Sequence, residues 1–315
     1  MPKQSLTFRP MKVQVKPNSK AEKYYRSARG LPGSAIPMPK VIAPGIDPSP
    51  LHDLIFHGGK VTPNMHYKNF FLGGSTSWKE QDIVSIDTAL SAAMGDASLN
   101  NVMQQYFPGA KISCDFHGSA ILPGAKPKSF NEPDVQSLVK KLLAKGDLAG
   151  LDLSNSIFNF MLPSGSVLKL DADSSLGGLG GYHGSVHVKQ GSVNSTLYYS
   201  VGVFSEFLPN GNENGIVVFD KPWKNVVGTF YHELNEFRTD ADVDDAIKTN
   251  NNDFLGWMSR QGEEIGDNPI SASHGVLKKV FSEVKLTGKK TTVPVQFMYS
   301  NFVHGAEGPI PKPHQ

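Results

Sequence analysis

The chain has 315 residues, 39% of them hydrophobic and 19% charged, with a formal net charge of +2. This length and hydrophobic share allow a substantial buried core, so disorder does not describe the whole chain. The single cysteine, Cys114, excludes an internal disulfide framework and a Cys-x-x-Cys metal site, which leaves His and carboxylate side chains as candidate metal ligands.

The N-terminal segment differs in charge from the rest. Residues 1–45 contain nine Lys or Arg residues and Glu22 as their single acid, a net +8, so the remainder carries −6. Because this segment has several prolines and few apolar repeats, we predict a basic, Pro-rich arm over residues 1–50 that is solvated or lies on the surface. Such an arm could contact an acidic partner. We predict no nucleic-acid binding, no signal peptide and no membrane span.

A single domain is predicted over residues 51–315, and its first half combines strands and helices. The apolar runs LIFHGGKV and YKNFFLGG, bounded by glycines, predict two strands. Ser77 followed by Glu80 predicts a capping box and a helix over about 78–94. The next elements predicted are a short helix in LNNVMQQYF, a strand in AKISCDFHGSAIL and a helix in EPDVQSLVKKLLAKG.

The second half begins with a predicted sheet. Segments rich in β-branched and aromatic residues follow one another between residues 155 and 220: SIFNFML, SVLKL, GSVHV, STLYYSVGVF and GIVVF. A helix is predicted in KPWKNVVGTFYHELNEF, a polar turn-rich segment in TDADVDDAIKTNNND, and a late strand in TVPVQFMYS. The fold class predicted is therefore α/β (α+β), a mixed or antiparallel β-sheet with flanking helices.

The helix in the second half carries an H-E-x-x-E motif formed by His232, Glu233 and Glu236. At about 100° per residue, these side chains lie opposite an apolar stripe on the helix. His232 and Glu236, about 6 Å apart along the axis, could bind one metal ion while Glu233 acts on water as a general base. The alternative is an ordinary polar face of an amphipathic helix, because H-E-x-x-E alone is a weak pattern.

A zinc site needs a third protein ligand. Asp240 shares the helix face but lies about 12 Å from His232 along the axis, too far unless the helix breaks before it. The downstream segment WMSRQGEEIGDNP offers Glu263, Glu264 and Asp267. The alternative interpretation of this segment is a solvated acidic turn.

The glycine-rich stretch GGLGGYHGSV does not fit the dinucleotide-binding pattern G-x-G-x-x-G, and it leads into a predicted strand. We predict that its glycines allow close backbone approach beside a cleft. His183 and His187 would be about 13 Å apart on a strand, too far for one metal ion. We therefore interpret His183 as a possible cleft residue and His187 as structural.

Six segments in order, IFHGGKV, YKNFFLGG, FMLPSG, GGYHGSV, YHELNEFRTDA and GEEIGD, resemble the bacterial and fungal relatives of the plant EXORDIUM, or phosphate-induced, proteins. The resemblance spans about residues 51–300 and implies that the H-E-x-x-E residues and the segment 264–267 belong to one site on a zincin-like helix. Ala241 and Asn268 depart from the family, which commonly has proline and cysteine there. The plant members are extracellular proteins without an agreed reaction. The resemblance therefore implies secretion, but it does not indicate which activity, if any, the chain has.

Together these patterns predict a zinc-dependent hydrolase, a metallopeptidase acting on a peptide or protein substrate. Glu233 is the predicted general base. The predicted zinc ligands are His232, Glu236 and Glu264, with Asp267 and Asp240 as reserve ligands or as residues that orient the others. The competing hypothesis is a non-catalytic binding protein that has the same helix and holds a structural cation such as calcium, or none.

Overall fold

A computed structural model describes residues 12–23, 43, 45–190 and 193–314 of the chain. Its helices are α1 (Glu80–Met94), α2 (Ala97–Met103), α3 (Glu132–Lys145), α4 (Pro222–Thr239), α5 (Val243–Thr249) and α6 (Asp267–Ala272). Its strands are β1 (Val13–Val15), β2 (Leu54–Phe56), β3 (Asn64–Phe71), β4 (Ser113–Ile121), β5 (Ser129–Phe130), β6 (Ser156–Met161), β7 (Val167–Leu170), β8 (Asp173–Ser174), β9 (Leu179–Gln190), β10 (Val193–Gly202), β11 (Glu206–Phe207), β12 (Glu213–Asn214), β13 (Trp257–Ser259), β14 (Phe281–Lys285), β15 (Thr292–Gln296), β16 (Met298–Ser300) and β17 (Gly305–Glu307).

The main sheet has six strands in the order β1-β9-β10-β6-β3-β4. The strands β1, β9 and β10 pair antiparallel, whereas β10, β6, β3 and β4 run parallel to one another. The predicted fold class, a mixed sheet with flanking helices, is confirmed. None of the helices in the described part of the chain is long and apolar enough to cross a membrane.

Both faces of the main sheet are buried. Side chains alternate along β3, so that Tyr67 and Phe71 pack into a core with α1 and α4, while Phe70 packs into a second core with α3. The helix α4 therefore lies directly on one face of the sheet, next to β9. This placement brings the H-E-x-x-E motif against the glycine-rich start of β9.

The N-terminal strand β1 extends the sheet at the free side of β9. Val13 pairs with Tyr182, and Gln14 pairs with Gly181. Val13 and Val15 are 0% and 3% exposed and join the second core. The prediction of a solvated arm is therefore wrong for residues 12–16, because three alternating residues are too short a pattern to reveal a strand. Residues 1–11 and 24–42 lie outside the described residues, and the domain boundary near residue 50 stays a prediction.

The predicted helices agree in position with α1, α2, α3 and α4, but one local prediction, the capping box at α1, is wrong. The residue before α1 is Lys79, which provides no side-chain cap, and Ser77 instead donates its hydroxyl to the carbonyl of Gly73 at 2.6 Å. The capping box is therefore absent at this helix. In contrast, α3 begins with a capping box at Asn131, and it ends before Gly146, which has a left-handed conformation.

Two segments of the second half also differ from prediction. GIVVF is not a strand, since the backbone N–H groups of Val218 and Phe219 donate to the side-chain oxygen of Asn225 at 3.0 and 2.8 Å. A side chain of α4 thus takes the place of a neighbouring strand. The segment predicted as turn-rich contains the helix α5, whose Val243 and Ala246 pack in a small buried cluster.

Candidate metal centre

The helix α4 is buried on every side over most of its length. All its residues from Asn225 to Thr239 are buried, and the side chains of His232, Glu233 and Glu236 are 0% exposed. The alternative of a solvent-exposed polar face is therefore wrong. Ionisable groups taken out of water need charged partners, hydrogen bonds or a metal ion, because their desolvation is costly.

One group of candidate ligands consists of His232, Glu236 and Asp267, whose ligand atoms all lie within 4.8 Å of one another. His232 Nε2 is 3.0 Å from Glu236 Oε1 and 3.9 Å from Asp267 Oδ1. Although close to Glu236, Nε2 has no partner with hydrogen-bond geometry among the described residues. Two atoms that are close but not aligned for a hydrogen bond have the arrangement expected of two ligands on one ion.

The other nitrogen of His232 fixes the orientation of its ring. Nδ1 lies 3.0 Å from Gln296 Oε1, and Gln296 Nε2 donates to the carbonyl oxygen of Gly266 at 2.5 Å. Because this second bond assigns the amide nitrogen, Oε1 accepts from Nδ1–H. In the neutral imidazole the lone pair then lies on Nε2, which faces Glu236 and can bind a metal ion.

A second group joins His183 on β9 to Glu236 and Glu264, again with ligand atoms within 4.8 Å. His183 Nδ1 is 3.6 Å from Glu236 Oε2 and 3.4 Å from Glu233 Oε2, and its Nε2 is 3.6 Å from Glu264 Oε1. Glu236 therefore belongs to both groups, with one oxygen toward each histidine. The sequence offered His183 only as a cleft residue, and its flanking glycines were the signal for a close approach.

Several polar atoms in the centre are buried without a hydrogen-bond partner among the described residues: His232 Nε2, Glu233 Oε1, Glu236 Oε2, and both carboxylate oxygens of Glu264. Buried polar atoms in folded proteins nearly always have a partner, so a cluster of exceptions is typical of a binding site for an ion or water. A cation would satisfy these carboxylates and the free imidazole nitrogen together. The mixture of imidazole and carboxylate ligands fits zinc or a similar transition metal.

The charges in the centre shift the pKa values of its groups in opposite directions. Burial raises the pKa of Glu264 well above its usual value, and the carboxylates around it raise it further. Burial lowers the pKa of His183 and His232, but the neighbouring glutamates outweigh this and raise them to about 10 and about 9. Burial raises the pKa of Glu236, and the two imidazoles outweigh it and lower it to about 2. Without a cation the centre therefore holds imidazolium protons, which metal binding would displace.

Gly266 gives the segment 264–267 its close approach to α4. A Cβ atom at this position would lie 2.3 Å from His232 Nδ1, closer than nonbonded atoms come. The N–H of Gly266 donates to Glu236 Oε1 at 3.3 Å. A glycine between Glu264 and Asp267 thus lets both carboxylates reach the motif helix.

The structure brings four of the predicted metal ligands together, because His232, Glu236, Glu264 and Asp267 all belong to one or other group. Asp240 belongs to neither group. It follows the last residue of α4, its Oδ1 accepts from the N–H of Gly256 at 2.9 Å, and burial raises its pKa to about 8. The roles of all these residues stay predictions.

Glu263 also lies outside both groups. Its side chain forms an ion pair with His52, so the first carboxylate of the predicted acidic turn is used elsewhere. His187 is far more exposed, at 62% of its side chain, and its Nε2 lies 2.8 Å from Asp245. The interpretation of His187 as structural stays a prediction.

Comparisons with known proteins give little further information. No protein-family model matches the chain, and no curated protein matches it. Among solved structures, metalloproteinase-II from Bacteroides fragilis is similar over 65% of this chain and 50% of its own, with a TM-score of 0.30 and 11% sequence identity. The chain thus spans about half the length of that protein. At this level of similarity, any functional assignment rests on the geometry of the centre.

Proposed function

We propose that the chain is a zinc-dependent hydrolase of the metallopeptidase type. The observation that supports this most directly is the cluster of His232, Glu236 and Asp267, where a free imidazole nitrogen and two carboxylates converge within 4.8 Å. Asp267 replaces the predicted Glu264 as the third ligand of this set. A zinc ion held there would supply a Lewis acid beside Glu233.

Glu233 has the environment of a general base. Its Oε2 is held 3.4 Å from His183 Nδ1, while its Oε1 has no hydrogen-bond partner among the described residues. Burial raises the pKa of Glu233 above its usual value. A base whose pKa is raised toward the working pH removes a proton from water and returns it to the leaving amine more effectively.

Three segments that carry the resemblance to EXORDIUM-type proteins converge on the centre. GGYHGSV contributes His183, YHELNEFRTDA contributes the motif on α4, and GEEIGD contributes Glu264 and Asp267. Their convergence supports membership of that family, together with the secretion it implies, as a proposal.

The competing function is a non-catalytic binding protein with a structural cation. The observation that favours it is the complete burial of the centre, since the side chains of Glu233 and of both ligand groups are 0–2% exposed. Calcium fits poorly as that cation, because it takes six to eight oxygen ligands and both groups here include an imidazole.

The test begins with the metal content of protein purified without added metal or chelator. Glu233→Gln keeps the shape of the side chain and removes the proton acceptor, so zinc should stay bound while peptide hydrolysis falls by roughly 10²–10⁴-fold. His187→Gln is the matched control, since this exposed histidine on the same strand as His183 lies outside the centre and should leave both unchanged. Equal hydrolysis by the Glu233→Gln variant and the wild type would exclude Glu233 as the base, and loss of zinc from the variant would make Glu233 a ligand.

A further inference from the structure

The strand β1 occupies a position that an extended peptide could take. Without it, β9 would be the edge of the main sheet. Residues 12–16, the covering segment, pair antiparallel with this edge, and the N–H of Lys16 donates to the carbonyl of Gly178 at 2.7 Å. Adding an extended strand to an exposed sheet edge is a common way in which proteins bind peptides, because backbone hydrogen bonds supply affinity whatever the sequence.

The covering segment reaches the candidate metal centre. It contacts both α4 and α6, the helices that carry the motif and Asp267. Gln14 is 0% exposed and its Nε2 donates to Gln296 Oε1 at 3.2 Å. The same oxygen is the partner of His232 Nδ1. The side chain of Gln296 therefore links the covering segment directly to His232, a candidate metal ligand.

The side chain of Lys12 lies in a pocket formed by two carboxylates, Asp244 and Glu132. Its Nζ lies 2.5 Å from Asp244 Oδ1 and 3.2 Å from Glu132 Oε1, although Lys12 is only 4% exposed. The other oxygen of Asp244 accepts from the N–H of Ser185 at 2.8 Å, and Tyr199 donates its hydroxyl to Glu132 at 3.2 Å. The two carboxylates are thus held in place from β9 and β10 and do not depend on Lys12 alone. The half-exposed Lys248 approaches the same carboxylates from outside, at 3.4 Å from Asp244 Oδ2 and 3.6 Å from Glu132 Oε1.

The backbone beside this pocket leaves room only for a glycine. A Cβ atom at Gly184 would lie 2.3 Å from Asp244 Oδ2. Asp244 therefore reaches across β9 toward the position of Lys12 because Gly184 has no side chain. The edge of β9 consequently offers backbone hydrogen bonds to any extended strand, and beside them a pocket that favours a positively charged side chain.

We propose that the covering segment occupies, within the same chain, the groove for an extended peptide substrate, and that Asp244 and Glu132 select a Lys or Arg side chain at the position of Lys12. The catalytic meaning of this groove rests on the proposed hydrolase function, whereas the binding preference does not. Because a tethered segment competes at an effective concentration in the millimolar range, free peptides would reach the groove only when the covering segment is weakened.

The binding test uses the full chain with Lys12→Ala, which removes the Lys12 side chain from the pocket, and two labelled peptides. These are KVQVKP, with the sequence of residues 12–17, and its variant AVQVKP. We expect KVQVKP to bind about 30-fold more tightly than AVQVKP, the scale of a lost buried charge pair. The matched control is Lys23→Ala, which removes an exposed lysine of the same arm and, like the wild type, should bind neither peptide at micromolar concentration, well below the effective concentration of the tethered segment. Equal affinity for the two peptides, or binding of neither by the folded Lys12→Ala chain, would overturn the proposal.

If Lys12→Ala does not fold, hydrogen exchange measured on the wild-type chain replaces the binding test. Millimolar KVQVKP should accelerate exchange of the backbone N–H group of Lys16, which donates to the carbonyl of Gly178, by displacing the covering segment, and AVQVKP should not. Equal exchange with the two peptides would overturn the proposal.

A hydrolysis arm separates this inference from the proposed function. The Lys12→Ala chain, with and without Glu233→Gln, is given reporter peptides with Lys, Arg or Ala at the first position of KVQVKP. Tight binding of the Lys peptide without any cleavage would support the groove and contradict the hydrolase. Cleavage that depends on Glu233 but is equal for the three peptides would support the hydrolase and contradict the pocket.

Discussion

Glu236 provides the sharpest test of the metal centre, since it is the one residue common to both ligand groups. Its Oε1 lies 3.0 Å from His232 Nε2 and its Oε2 lies 3.6 Å from His183 Nδ1. Glu236→Gln changes the shape of the side chain very little, but it removes the negative charge and replaces one carboxylate oxygen by an NH2 group, which cannot bind a cation. We therefore expect this substitution to abolish metal binding at either group, whereas Asp267→Asn or Glu264→Gln affects one group each.

The size of the effect follows from the linkage of metal binding to folding. A metal ion at 1,000 times its dissociation constant stabilises the folded state by about 4.1 kcal/mol. For 315 residues, an unfolding entropy of about 2.1 cal/mol/K per residue amounts to about 0.66 kcal/mol/K. Removal of the ion should then lower the melting temperature of the wild-type chain by about 6 °C.

The assay is thermal unfolding with and without a chelator. The wild-type chain should lose about 6 °C on chelation, and the Glu236→Gln chain should show no shift because it holds no ion to lose. His187→Gln, outside both groups, should respond like the wild type. An equal chelator shift in wild type and Glu236→Gln would refute the assignment of Glu236, and wild-type protein without metal or shift would refute the centre itself.

Three more outcomes follow from particular contacts. His232→Ala should lower zinc content and melting temperature together, because bound metal stabilises only the folded state, and unchanged zinc would remove His232 from the site. Gly266→Ala should lower metal affinity about 10–100-fold by pushing the His232 ring out of place, as measured by competition with a chelator, while Gly177→Ala, where a Cβ meets nothing closer than 3.9 Å, should not. The stability advantage of wild type over Lys12→Met should depend on pH at both extremes. Burial raises the pKa of Asp244, but Lys12 and Lys248 together outweigh it and the net pKa is lowered, so this contribution is present above about 3.9 and lost as the pH falls through the folded value. Burial lowers the pKa of Lys12 and its carboxylates raise it more, so its contribution is present below about 10.4 and lost as the pH rises through the folded value. Melting curves from about pH 3 to 11 measure this, and a difference that stays constant over that range contradicts it.

The helix that carries the motif was predictable from its own sequence, but its burial was not. Pro222 at its start and the spacing of its apolar residues are local signals of a helix. The groups that cover its polar side come from β9, from Asp267 at the start of α6, and from Gln296. All of these are distant from the motif in sequence. A pattern along one helix shows which residues are polar but not what lies against them.

His183 shows why the sequence alone predicted an incomplete set of metal ligands. The spacing of ligands is fixed when they share a helix, as His232 and Glu236 do, but a ligand from another strand has no fixed spacing. His183 reaches the centre because β9 lies beside α4, a consequence of the sheet order. The error at GIVVF has a different cause: its backbone partner is the nearby side chain of Asn225 and not a strand, and strand propensity does not reveal such a partner.

The pairing of β1 with β9 also affects self-association. Exposed sheet edges present unpaired N–H and C=O groups that can pair with another molecule and lead to aggregation. A chain cut after the covering segment would expose the backbone of Leu179–Tyr182 along such an edge. Two cut chains could then pair through their exposed β9 edges, so proteolysis near the N-terminus would leave a fold prone to dimers and aggregates.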